Sequence, residues 1–253
     1  LILDGAQKEL DARVKTEKPW CLAVGFIKPH LPFTAPLKFL DLYKDVTVPP
    51  IPSPAKPTGA SLWHPSGEFM RNYADKNDPR KDAAYALDVR KHYAASTSYV
   101  DDSVGKLLAH LEKTGASKDT IVILWGDHGL SLGEKQIWGK HHLYHTALHS
   151  PLIVKLPEHA SAGKSTPAVA ETIDIYPTIC ELASIKLPEH LDGKSLAKIV
   201  NDPSAESDGI AISFCSGDKS TITKDTHTII RKEKPFLKFD LITDPHEEKN
   251  LVK

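Results

Sequence analysis

The sequence predicts an α/β fold, and three stretches carry that prediction. Residues 121–125 form a β-branched apolar run (Ile-Val-Ile-Leu-Trp) that stops abruptly at Gly126-Asp127-His128-Gly129. That pattern is a buried strand delivering an Asp and a His side by side at its carboxyl end. From Asp82 to Lys113, the residues Val89, Tyr93, Val100, Val104, Leu107, Leu108 and Leu111 recur at spacings that share one helical face. Beyond Ile210, short alternating segments at 210–214, 226–231 and 236–241 read as antiparallel strands.

The remaining elements follow in order. Asp4 to Lys15 has weak helical character, and Pro19 to Ile27 reads as a short apolar strand. Lys28 to Phe33 is a loop stiffened by Pro29 and Pro32, and Pro36 to Tyr43 a short amphipathic helix. Val46 to Arg80 is rich in Pro, Gly, Asn and Asp without sustained periodicity, a long surface excursion. It reads either as a linker or as a rim loop for substrate selection, with Trp63, His64 and Arg71 within it as contacts for a sugar or anion. Gly115 supplies a stop for the long helix. Pro151 to Leu156 reads as a second buried strand, and Asp174 to Ile185 as a helix with Pro177 in its first turn. A composition break at Asn201–Gly209 divides the chain into segments 1–205 and 206–253.

The 253 residues suffice for one large domain or a domain and a half, and 40% hydrophobic with 26% charged content is ordinary for a globular core. A formal net charge of −1 gives no general pull toward nucleic acid or an anionic membrane, and no stretch approaches the length of a transmembrane helix. Three cysteines without metal-site spacing argue against a disulfide framework; Cys21 and Cys180 read as buried apolar thiols.

The chemistry concentrates after the 121–125 strand. Asp127 offers a hard oxygen ligand and His128 a neutral nitrogen one, a pair suited to a divalent metal. In open α/β sheets, ligands bind outside the carboxyl ends of strands. Lys140, in Trp138-Gly139-Lys140, is placed to return a fixed positive charge to the same pocket, and His141, His142, His145 and His149 follow it. His141 and His145 are spaced i and i+4, which also permits a helical metal pair. His92, His110, His159, His190, His227 and His246 read as surface residues.

The segment from Ile121 to Lys140 resembles the sulfatase family, within the alkaline-phosphatase-like superfamily, and most closely its iduronate-2-sulfatase-like branch. Five further blocks resemble that family in its own order. They are Cys21–Phe33 with Lys28-Pro29-His30-Leu31-Pro32-Phe33, the helix 93–108, Glu171–Thr178, Leu191–Leu196, and the closing Phe239–Leu251. The resemblance covers nearly the whole chain. It implies part of an alkaline-phosphatase-like sandwich with a central, mostly parallel sheet, followed by a small C-terminal antiparallel sheet. The implied activity is sulfuric ester hydrolysis on a sulfated carbohydrate. Asp127 and His128 would be ligands of a divalent metal, calcium in the family, while Lys140 and His30 bind the sulfate and assist the leaving group. His149 and Lys28 complete the implied substrate contacts. The implied location is periplasmic, extracellular or lysosomal.

Two of the family's features are not found. The formylglycine nucleophile is made within a Cys/Ser-x-Pro/Ala-x-Arg motif, and neither Cys21, Cys180, Cys215 nor Ser165 stands in one. The early Asp-Asp metal pair is absent as well, and Asp101-Asp102 lies inside a helical pattern instead. The expectation is therefore a C-terminal portion whose formylglycine and first metal ligands come from a missing N-terminal half. A phosphodiesterase or phosphonate hydrolase of the same superfamily, and a non-catalytic remnant or subunit, stand as alternatives.

Overall fold

The computed structural model describes residues 1–157, 162–207 and 209–253; His159, expected at the surface, lies outside the described residues. They group into two compact units, Leu1–Pro50 with Ser66–Ile121, and Ile51–Pro65 with Val122–Lys253.

The first unit is helical: α1 (Ile2–Arg13), α2 (Leu37–Asp41), α3 (Gly67–Asn72) and α4 (Ala83–Lys113). Asp82 starts α4 where the sequence places it, its side chain accepting the backbone N–H groups of Ala84 and Tyr85 at 2.9 and 3.0 Å. Such a cap contributes about 1 kcal/mol. Gly115, at φ 80°, ends the helix region in the left-handed conformation that favours glycine. Aromatic pairs join the proline loop and α2 to α4. Phe33 meets Tyr93 edge-on at 5.2 Å, and Phe39 meets Tyr99 at 5.4 Å. Pairs of this kind add roughly 0.5–1.5 kcal/mol beyond the area they bury. From α1, Ala6 and Leu10 are buried, and Asp11 faces Nε2 of His110 at 2.7 Å, so His110 is a half-buried packing residue and not a surface one.

One element differs from expectation in this unit. Residues 19–27 run without a strand ladder, because no described segment pairs with them; alternate side chains are exposed, among them Cys21, which is not the buried thiol expected. Cys180 is buried as expected.

In the second unit, β1 (Val122–Trp125) pairs antiparallel with β4 (Leu152–Lys155), and β2 (Ser131–Leu132) with β3 (Trp138–Gly139). Between β3 and β4 lies the short α5 (His145–Leu148). After α6 (Ile175–Leu182) and α7 (Ala197–Asn201), the chain forms a four-stranded antiparallel sheet of β5 (Ala211–Cys215), β6 (Asp218–Ile222), β7 (Thr226–Arg231) and β8 (Lys234–Asp240) in sequential order. Every strand ladder among the described residues is antiparallel, and the expected central parallel sheet is not among them. With β4 as its one strand partner among the described residues, β1 is half-buried, and Trp125 is 49% exposed where an interior strand would have covered it.

The core of this unit joins the C-terminal sheet to the segment that follows β3. Ile229, Leu237 and Phe239 pack with Leu62, Ile137, Leu143 and Tyr144. Two sequence landmarks pack on each other: Asp174 accepts the Lys194 N–H and Thr178 accepts the Leu196 N–H, both at 2.8 Å.

Candidate functional site

The Gly126–Gly129 turn is stitched to residues 146–151. Gly126 donates its N–H to the Pro151 carbonyl at 2.9 Å, and Gly129 donates to Ala147 at 2.8 Å. Ser150 Oγ donates to the Gly126 carbonyl at 2.7 Å. A Cβ at Gly129 would lie 2.2 Å from the Thr146 carbonyl oxygen, so the close approach requires glycine. The turn thereby rests on the segment that bears His149.

Within that turn the Asp127 side chain is 85% exposed and that of His128 38%. The Asp127 carboxylate accepts the His128 backbone N–H at 3.1 Å. Nδ1 of His128 lies 2.8 Å from the Gly129 carbonyl, which can only accept, so Nδ1 carries a proton. In the neutral ring Nε2 is then a lone pair, and it stands 3.7 Å from Asp127 Oδ2. Two electron-rich atoms at that spacing suit a shared cation, and fixing the tautomer through the second ring nitrogen is the usual preparation of a metal-binding histidine. The donor pair therefore fits a divalent metal, although no group of three or more His, Cys, Asp or Glu poised for one occurs among the described residues.

Lys140 follows β3 directly and is half-buried. Ser131 connects its surroundings to the turn. It pairs with Gly139 in the β2–β3 ladder, and its hydroxyl bonds His142 Nε2 at 3.1 Å and Thr146 Oγ1 at 2.6 Å. His142 is buried and accepts the Tyr144 N–H on Nδ1 at 3.2 Å. Burial, then the neighbouring His64, push its pKa down to about 3. His142 is thus a neutral structural ring. His145 stacks on His149 at 4.7 Å with the planes 12° apart, and burial followed by His149 lowers the His145 pKa. The structure thus gathers Asp127, His128, Lys140 and His149 onto one network of paired backbone and hydroxyl groups.

The other two candidates belong to the first unit. Lys28 turns inward on its own loop: Nζ bonds the Pro32 carbonyl, Thr34 Oγ1 at 2.9 Å and the His30 carbonyl at 3.5 Å. Burial lowers its pKa. His30 is exposed at the loop tip, with Nδ1 2.8 Å from the Leu31 carbonyl and Nε2 3.6 Å from Glu68 Oε1.

His227, expected at the surface, is fully buried between Ser220 Oγ, 2.7 Å from Nε2, and Glu247. Sequence reasoning passed over Glu247 and Lys135 altogether. The only signal was their place inside two of the quoted blocks, since burial of a Glu and a Lys has no local signature.

The chain thus presents an Asp-His pair at a strand's carboxyl end and a lysine directly after β3, groups suited to a metal and an anion. The comparisons fix the family. The sulfatase family model matches residues 1–185, and the model for the C-terminal region of N-sulphoglucosamine sulphohydrolase matches residues 133–253. The chain belongs to the sulfatase family. It is 30% identical over 242 residues to a sulfatase of Formosa agariphila, which covers 91% of this chain and 46% of the relative. It is 28% identical over 214 residues to human iduronate 2-sulfatase, covering 71% and 39% respectively. The solved structure of BT4656 in complex with its substrate D-glucosamine-2-N,6-O-disulfate superposes with a TM-score of 0.75 at 19% identity, over 99% of this chain and 65% of the other. The chain spans about half the length of the curated relatives it matches.

Proposed function

We propose that this chain forms the C-terminal part of a sulfuric ester hydrolase that removes sulfate from a sulfated carbohydrate. The observation that carries the reading is the Asp127–His128 turn, its metal-ready tautomer fixed by the Gly129 carbonyl, seated against the segment bearing His149, with Ser131 paired to Gly139, the residue before Lys140. The relatives named for iduronate 2-sulfate and glucosamine disulfate support a sulfated sugar as substrate and favour sulfate over phosphoryl transfer. In this reading segment 1–205 belongs to the catalytic domain and 206–253 forms a small antiparallel subdomain. The half-exposed β1 joins a parallel sheet whose other strands, together with the formylglycine and the first metal ligands, lie outside this chain. By its family the enzyme works in a periplasmic, extracellular or lysosomal compartment.

Asp127 and His128 would hold the divalent metal, calcium by the family's habit. When bound, it supplies positive charge that lowers the cost of negative charge developing on the sulfate. The chain's own residues do the rest. Lys140 holds a fixed ammonium toward the sulfate oxygens, and His149 borders the same anion from the segment on which the turn rests. By the family resemblance His30, exposed at its loop tip, is a sulfate-binding residue that assists the leaving group, while Lys28 holds the shape of that loop from within. Sulfate ester hydrolysis gains most from such charges when they are fixed before reaction begins.

The test is to express the full-length gene in a host that makes formylglycine and to assay aryl and sugar sulfates. K140A should lower turnover by roughly 10²–10³-fold, the scale of one preorganised charge-stabilising group. D127A should weaken metal binding measured by calorimetry. The 253-residue chain alone should show no turnover. Sulfate release by that chain alone, or full turnover by K140A, defeats the reading.

A further inference from the structure

Glu247 is 1% exposed, yet it meets three separate segments of the chain. Its Oε1 accepts from Nδ1 of His227, which is itself fully buried and tied through Nε2 to Ser220 Oγ on the neighbouring strand. Its Oε2 accepts the backbone N–H of His145 at 3.0 Å, the first residue of α5. The same oxygen lies 3.8 Å from Nζ of Lys135, a side chain only 3% exposed. Lys135 is fixed further: Nζ donates to the His246 carbonyl at 2.7 Å and hangs over the Tyr144 ring at 5.0 Å. Its backbone N–H donates to the Ser53 carbonyl at 2.8 Å.

Lys135 and His145 stand on either side of Lys140 in the chain. One buried carboxylate therefore grips both ends of the segment that presents this lysine. Burying a lysine and a glutamate together is expensive, and apolar residues of similar volume hold segments together at least as well. What the carboxylate adds is direction. It takes one donor from the start of α5 and one from β7 and pairs with a cation on the turn before β3, and so fixes their mutual geometry as an apolar contact does not.

We propose that Glu247 is the positioning residue for Lys140, orienting the sulfate-binding ammonium through the Lys135 and His145 anchors. This rests on the reading of Lys140 as a sulfate-binding group. The experiment is a double-mutant cycle in the full-length, formylglycine-bearing enzyme with an aryl sulfate as the probe, alongside thermal melting of each variant. E247Q keeps the volume and an acceptor oxygen but removes the charge facing Lys135. It should lower kcat by about 10–100-fold in folded enzyme, and K140A/E247Q should be no slower than K140A within about threefold, because both substitutions act on one group. Losses that multiply in the double variant, or an E247Q enzyme that melts earlier but turns over at the wild-type rate, overturn the proposal.

If E247Q does not fold, His145→Pro against His145→Ala isolates one anchor. Proline is accepted at the first helical position and lacks only the N–H that Glu247 takes, whereas alanine keeps it. H145P should be at least tenfold slower than H145A; equal rates overturn the proposal. A wild-type enzyme without sulfate-ester turnover overturns the functional reading and this role together. An active wild type with multiplying losses overturns the positioning role alone.

Discussion

Replacing Gly129 by alanine tests whether the Asp127–His128 turn is held by backbone packing. A Cβ there would sit 2.2 Å from the Thr146 oxygen and 2.8 Å from the His149 oxygen, where real Cβ contacts essentially never fall below 3.0 Å. The obstacles are main-chain carbonyls, so no side chain can rotate away. To bring 2.2 Å up to 3.0 Å, the turn and the 146–149 segment must part by about 0.8 Å. That movement also stretches the 2.8 Å bond from Gly129 N–H to the Ala147 carbonyl. Overpacking of this kind costs roughly 1–3 kcal/mol, and loss of the hydrogen bond about 1 kcal/mol more. In a protein of this size each kcal/mol moves Tm by about 2–4 °C, so G129A should melt roughly 5–15 °C lower by circular dichroism. On the proposed reading of Asp127 and His128 as metal ligands, divalent-metal binding by the full-length enzyme should weaken as well, because the shift carries both residues with it. A G129A protein that melts within about 2 °C of wild type would refute the packing argument.

Gly105 gives the opposite sign: it is exposed inside α4 with nothing within 4 Å of a Cβ, so G105A should raise stability by about 0.5–1 kcal/mol in urea denaturation, and a loss would contradict the helix geometry. For His142 the folded pKa of about 3 lies below the ordinary 6.5, so the unfolded chain takes up the proton first. Its contribution is intact above about pH 6.5 and is lost as pH falls toward 3, at up to about 1.4 kcal/mol per pH unit. Urea titrations at pH 8 and pH 5 should show a shallower pH dependence for H142N; identical slopes would contradict the assignment.

Periodicity and punctuation made some elements legible. The apolar face recurring from Val89 to Leu111 made α4 legible, and Gly115 marked its end. The Gly-Asp-His-Gly turn was legible because glycines at the end of a β-branched strand leave few other readings. The strand β6 was not, since Asp218-Lys-Ser-Thr-Ile222 is polar and its alternation becomes visible only once His227 and Ile229 line the adjacent strand. Residues 19–27 failed the other way. Their apolar alternation is strand-like, but a strand requires a partner, and pairing is a property of another segment. Burial of Lys135, His227 and Glu247 was invisible for the same reason: each is tolerable only because the other two are present, and they lie far apart in the chain.

The histidines show how the molecule divides chemical from structural duty. His142 and His227 are buried, and each has both ring nitrogens engaged, His142 by Ser131 and Tyr144, His227 by Ser220 and Glu247. Neither has a nitrogen left for a ligand. His128 spends one nitrogen on its own turn and points the other at Asp127, at the surface of the unit. His149 is exposed at the end of α5, its ring steadied by stacking on His145. The rings with a nitrogen to offer therefore sit on a frame made rigid by rings without one. A cluster that reads in sequence as one dense group of histidines separates in space into supports and candidate ligands, and hydrogen bonding, not spacing, decides which is which.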